Sequence, residues 1–160
     1  MKKIVGFVDL ENVDRTANWL LSRRKLDRSG EFDLNPRSLD TFGRANQDIT
    51  DAYIVWVLSS QDAFDYDNLK EEFDHLEKQS QTTDDPYFLG LYSGSLFNVG
   101  KKSEALAISK RVAKKQNKET GAVEGAESSI TSSNGKNLLV ETTSIAMINW
   151  LNQDINQFSE

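Results

Sequence analysis

The sequence predicts an all-α fold in which buried inner helices alternate with wetter outer ones, and three observations predict it. First, Asp84 to Gln116 reads as two helices and a turn, one apolar nearly all round and one amphipathic. Second, the opening of that unit recurs upstream: Asp51-Ala52-Tyr53-Ile54 matches Asp85-Pro86-Tyr87-Phe88 in kind, with the two Tyr residues 34 positions apart. Self-similarity at a fixed period suggests stacked helical hairpins, each too apolar on one face to stand alone. Third, the remaining segments carry Gly, Pro and Ser with scattered apolar anchors and lack the alternation of a strand.

Taken in order, Met1-Lys2-Lys3 has the charge of a secretory leader, but the apolar run that follows fails at Asp9. The chain is therefore expected either to begin as a mature protein or to be an excised piece. A helix is expected over Val13 to Lys25, with Val13, Ala17, Leu20 and Leu21 inward, Trp19 at its edge and its basic last turn facing the negative end of the helix dipole. Leu26 to Gln47 is expected to be a long structured connection, punctuated by Gly30, Pro36 and Gly43 and anchored by Phe32, Leu34, Leu39 and Phe42. Asp51 to Ser60 is an expected inner helix, and Tyr66 to Gln79 its outer partner, with Leu69, Phe73 and Leu76 as the buried stripe.

Asp84-Asp85-Pro86 is a helix start. The Asp side chain accepts the orphan amide protons of the first turn, and Pro at the first position has no amide proton to satisfy. Gly90, Ser93 and Gly94 form a stripe that lets a neighbour approach closely, and Gly100 closes the helix as a C-terminal cap. Lys101 to Gln116 turns Ala105, Leu106, Ile108, Val112 and Ala113 inward and Lys110, Arg111, Lys114 and Lys115 outward. Asn117 to Lys136 is expected to be a Ser/Gly-rich surface loop or short hairpin, with Val123 and Ile130 its only large apolar residues. A third inner helix is expected from Val140 to Leu151.

At 160 residues the chain suits one domain, 1–160, large enough for a proper core. Its 28% charged and 38% hydrophobic residues are ordinary for a globular protein. A net charge of −6 argues against nucleic acid as the main partner. With no Cys, disulfides, thiolate metal sites and cysteine nucleophiles are excluded within this chain. No segment approaches a membrane span, and the longest uncharged run, Pro86 to Gly100, carries Ser, Asn, Gly and Tyr.

Trp19-Leu20-Leu21-Ser22-Arg23-Arg24, Ser38-Leu39-Asp40-Thr41-Phe42-Gly43-Arg44-Ala45 and Thr50-Asp51-Ala52-Tyr53-Ile54-Val55-Trp56 together resemble blocks of the thioester-type domain of the α2-macroglobulin family. So do Asp85-Pro86-Tyr87-Phe88-Leu89, Ser129-Ile130-Thr131 and Val140-Glu141-Thr142-Thr143-Ser144, which follow in the family's order. The resemblance runs from about Val13 to Leu151 and implies a partial α/α toroid, the later part of such a domain cut from a larger parent. It implies a non-catalytic role here, in a parent that traps or tags proteases at an extracellular or cell-surface location. Partners would be the other domains of that parent and, through it, proteases. Two departures bear on mechanism. The family's reactive bond joins a Cys and a Gln in a Cys-Gly-Glu-Gln motif, and this chain has no Cys. Its Leu39-Asp40-Thr41-Phe42-Gly43-Arg44 stretch also lacks the His with which complement members redirect the bond to hydroxyls, so any parental thioester is expected to prefer amines.

No catalytic, cofactor-binding or metal-binding residue is expected. His75, the only His, sits among Glu72, Asp74 and Glu77 and reads as a solvated helix residue, while Glu71, Glu72, Asp74 and Glu77 read as a solvated acidic face. Lys101, Lys102, Lys110, Arg111, Lys114 and Lys115 read as a basic face able to meet an acidic partner. Asp51 and Glu141 are the one pair that could flank a toroid hydrolase's cavity, and helix capping accounts for both more simply. Two rival readings remain. One is a tetratricopeptide-like interaction module, on the 34-residue spacing. The other is a metal-dependent ribonuclease of the NYN/PIN type, since Ile4-Val5-Gly6-Phe7-Val8 ends in Asp9 and Asn12. Missing helices would leave apolar surface exposed, and a homodimer through that surface is expected.

Overall fold

A computed structural model of the chain describes residues 9–34, 45–61, 63–153 and 158. Among these, six α-helices and no β-strand ladder are present: α1 Leu10–Leu21, α2 Gln47–Ser59, α3 Lys70–Thr82, α4 Pro86–Asn98, α5 Lys102–Ala113 and α6 Gly135–Gln153. A 3₁₀ turn, Asp67–Leu69, leads directly into α3. Two isolated antiparallel bridges, Arg24 with Phe32 and Gln116 with Val123, close the loops after α1 and α5.

Helix α4 is the centre of the packing. It contacts both α2 and α6, while α3 lies against α2 and α4, and α5 against α4 and α6. Every residue of α4 from Pro86 to Leu96 is buried. Asp85 caps its start, accepting from the backbone N–H of Tyr87 at 2.7 Å and Phe88 at 3.3 Å, with Pro86 in the first turn. Its end follows from Gly100 at φ +82°, which lets Lys101 N–H reach Leu96 O and Gly100 N–H reach Phe97 O.

The small stripe explains why three helices can crowd α4. A Cβ at Gly90 would lie 2.9 Å from Ile145 Cγ2 of α6, and one at Gly94 would lie 2.7 Å from Trp56 Nε1 of α2 and 2.8 Å from Asn149 Oδ1 of α6. Ser93 turns the other way and donates to Ala105 O of α5, while its oxygen meets Ser109 Oγ at 2.8 Å and accepts from Gln153 Nε2 of α6 at 3.0 Å. One buried hydroxyl thus joins α4 to two further helices. The expected α3 stripe is also present, with Leu69, Phe73 and Leu76 all buried.

Several expectations need correction. Helix α1 starts at Leu10, because Asp9 caps it, and ends at Leu21, so Arg23, Arg24 and Lys25 lie beyond its last turn and do not face its dipole. Instead they enter the bridge with Phe32: Lys25 N–H donates to Glu31 O and Asp33 N–H to Arg23 O. Helix α2 begins at Gln47, capped by the Asn46 side chain on Ile49 N–H, and α6 begins at Gly135 rather than Val140. The 34-residue repeat does not survive this shift: Asp85 is the cap of α4, whereas Asp51 sits in the second turn of α2. In the connection before α2, Phe32 is fully buried and Leu34 half exposed; Leu39 and Phe42 lie outside the described residues. No helix among the described residues is long and apolar enough to cross a membrane.

Candidate functional site

Among the described residues, a dense ionic cluster lies where the α1–α2 connection crosses α2 and α3. Asp51 falls on the same face of α2 as Val55 and Leu58, so helical period carries its carboxylate into the core, where it is fully buried. It accepts from Phe32 N–H at 3.0 Å and from Gln47 Nε2 at 2.9 and 3.0 Å, and His75 Nε2 of α3 stands 3.6 Å away. Burial pushes the Asp51 carboxyl up to about 6, against the hydrogen bonds from Gln47 and Phe32 and the His75 charge, which favour ionisation. Gly30 permits this crossing: its φ is +79°, and a Cβ there would lie 2.2 Å from Glu71 O and 2.8 Å from His75 Cβ.

Two sequence expectations fail at this cluster. His75 is buried, not solvated, and Glu72 is buried and paired with Arg24 rather than exposed with its acidic neighbours. The reason is common to both: α3 is covered on a second side by the loop from Arg24 to Phe32, which adds to its apolar stripe a flank running through Glu72 and His75. Arg24 also donates to Asn68 O at 2.7 Å, fastening the same loop to the turn before α3. The cluster therefore holds a connection in place.

Glu141 does not cap α6 either. It sits inside the helix and accepts from Thr131 Oγ1 at 2.6 Å and Ser133 Oγ at 2.5 Å. Burial alone would raise its carboxyl, but hydroxyls of Ser133, Thr131, Ser129 and Tyr87 hold it below the ordinary range. Burial pushes the Tyr87 phenol up to about 12, and its oxygen accepts from Ile130 N–H at 3.3 Å. Asp51 and Glu141 thus lie in separate hydrogen-bond networks, one with Phe32 and Gln47 and the other with Thr131 and Ser133. The basic face of α5 is also partly spent: Arg111 donates to Ser80 O and Thr83 O at 2.8 Å and pairs with Asp84 at 3.2 Å, and Lys101 sits 4.4 Å over the Tyr66 ring. Asp9 accepts from Glu11 and Asn12 N–H as a helix cap, and no group of three or more acidic or His side chains placed to hold a metal occurs among the described residues. The apolar run before Asp9 lies outside them.

Among the described residues, two clefts lie along α6. The larger, about 640 Å³, runs along α6 beside the loop after α5 and is walled by Leu139, Val140, Met147, Trp150 and Leu151, with Phe158 stacked on Trp150 at 5.4 Å. The smaller, about 250 Å³, opens where the C-terminal ends of α2, α4 and α6 converge around Gly94. Sequence reasoning saw Gly94 only as a packing residue. Against known proteins, the chain matches no family model, no curated protein and no solved structure.

Proposed function

We propose that the chain is a non-catalytic helical packing module, one arc of an α/α toroid, that presents helical surface to other domains of its own parent protein. The observation that carries this reading is the outer face of α6. Val140, Met147, Ile148 and Leu151 recur at helical spacing and are 64%, 51%, 45% and 60% exposed. Each inner helix of a closed ring has an inner neighbour on both flanks. Among the described residues α4 packs extensively against both α2 and α6, whereas α2 and α6 each pack extensively against α4 alone of these three. A further inner helix of the parent chain is the occupant that continues this packing. The ordered blocks shared with the α2-macroglobulin family and the alternation of inner and outer helices support a parent of that kind, which traps proteases outside the cell. Mechanism then resides in the parent, and this segment acts as scaffold.

The test is photo-crosslinking from position 147 in the native protein, with a benzophenone amino acid in place of Met147, followed by peptide mapping. Adducts are expected on an apolar helical peptide of the parent protein lying outside residues 1–160. Adducts confined to residues 1–160, or none, would remove this reading. Adducts on the α6 face of a second copy would replace the parent's helix with a homodimer.

A further inference from the structure

We propose that the larger cleft, along α6, is a pocket for an aromatic side chain, that Phe158 holds it as an internal competitor, and that the parent's helix enters by putting an aromatic residue of its own in that place. The inference rests on the reading of the outer face of α6 as a docking surface and adds the chemistry of what docks. Cleft and face are continuous, since Val140, Met147 and Leu151, exposed on that face, also wall the cleft.

Phe158 shows what the pocket takes. It lies beyond the end of α6, and its ring rests on the Trp150 indole with centroids 5.4 Å apart and planes 15° from parallel. Flat stacking of this kind is a specific aromatic pairing and not general apolar contact. Trp150 is 6% exposed, whereas Phe158 is only partly buried, so the ring is a cover that can leave without opening the core. About 640 Å³ of open cleft lies beside the pair, the size of a ligand site and more room than one phenyl ring fills.

The rest of the lining also selects an apolar occupant. Gln116 donates to Gly121 O, Thr143 to Leu139 O and Ser144 to Val140 O, while Thr120 Oγ1 accepts from Ala122 N–H. The polar side chains of the wall are thus engaged with the backbone of their own segments. No charged side chain among the described residues lines the cleft. The exception is Trp150 Nε1, which is buried and has no hydrogen-bond partner among the described residues. Phe158 carries no acceptor for it, which leaves the present occupant an incomplete fit.

The test follows the three indole N–H signals of the ¹⁵N-labelled chain, because Trp19 and Trp56 lie outside the cleft. Phe158→Ala should move the Trp150 signal and leave the other two in place, while Phe158→Tyr, which keeps the ring, should resemble the wild type. N-acetylphenylalaninamide should then shift Trp150 saturably in Phe158→Ala, binding roughly tenfold or more tighter than in the wild type, where the tethered ring competes at high effective concentration. N-acetylleucinamide at the same concentration should leave the signal in place. A Trp150 signal unmoved by Phe158→Ala, equal affinity in wild type and variant, or equal binding of the leucine compound would each overturn the proposal. The two readings fail separately. Loss of crosslinking from position 147 with these shifts intact strikes the parent's helix, and crosslinking with an unmoved Trp150 strikes the aromatic pocket.

Discussion

Phe88→Ala should destabilise the chain by about 3–5 kcal/mol, the cost of a large cavity left by a buried aromatic side chain. Phe88 is 2% exposed on α4, the helix against which α2, α3, α5 and α6 all pack, and its ring lies 6.4 Å from that of Tyr92. Little can collapse into the space, because Gly90 and Gly94 already bring neighbouring helices as close as they can come. For a domain of this size each kcal/mol lowers Tm by roughly 2–4 °C, so a fall of about 10 °C is expected in thermal unfolding. Met147→Ala, on the exposed face of α6, should by contrast stay within about 0.5 kcal/mol of the parent chain. Equal losses at the two positions would mean that α4 is not the centre of the core.

The second large effect is a pH dependence set by Asp51. Its carboxyl is raised to about 6, above the ordinary value near 4, so the folded chain holds this proton more tightly than the unfolded chain does. Its contribution to stability is therefore full below about pH 4 and is lost as pH rises through 6, amounting to about 2–3 kcal/mol. The groups around it are Gln47 on its own helix, Phe32 N–H and Glu31 from the connection, and His75 from α3. Asp51→Asn keeps the shape and removes the titration. Urea unfolding at pH 4.5 and 7.5 should show the variant gaining about 2 kcal/mol on the wild type between the two conditions. A difference that does not change with pH would place the Asp51 charge in water.

What could be read from the residues was local. Asp85-Pro86 and Gly100 bracket α4 in the structure as their chemistry requires, and Leu69, Phe73 and Leu76 form the α3 stripe at the expected spacing. What could not be read depends on partners distant in sequence. Asp51 looked like a cap because it precedes an apolar run, but Asn46 takes that role, and the N–H that Asp51 accepts belongs to Phe32, in the connection far upstream. His75 looked solvated because its neighbours are acidic, yet the loop through Gly30 covers it, and only that glycine's positive φ hints at the crossing. The apparent repeat failed for a related reason. Matching letters at Tyr53 and Tyr87 occupy different turns of their helices, and the helix starts at Gln47, Pro86 and Gly135 are unevenly spaced.

The outer face of α6 decides the account most directly, and one double substitution reads it. Met147→Lys with Ile148→Lys, compared with the wild type by thermal unfolding and binding of an apolar dye, separates an uncovered interface from core. An uncovered face predicts Tm within about 2 °C of the wild type, since surface substitutions cost little, together with a clear loss of dye binding. Destabilisation by about 3 kcal/mol or more would contradict it, because two buried lysines would then be replacing core contacts, and α6 would be closed by the chain's own residues.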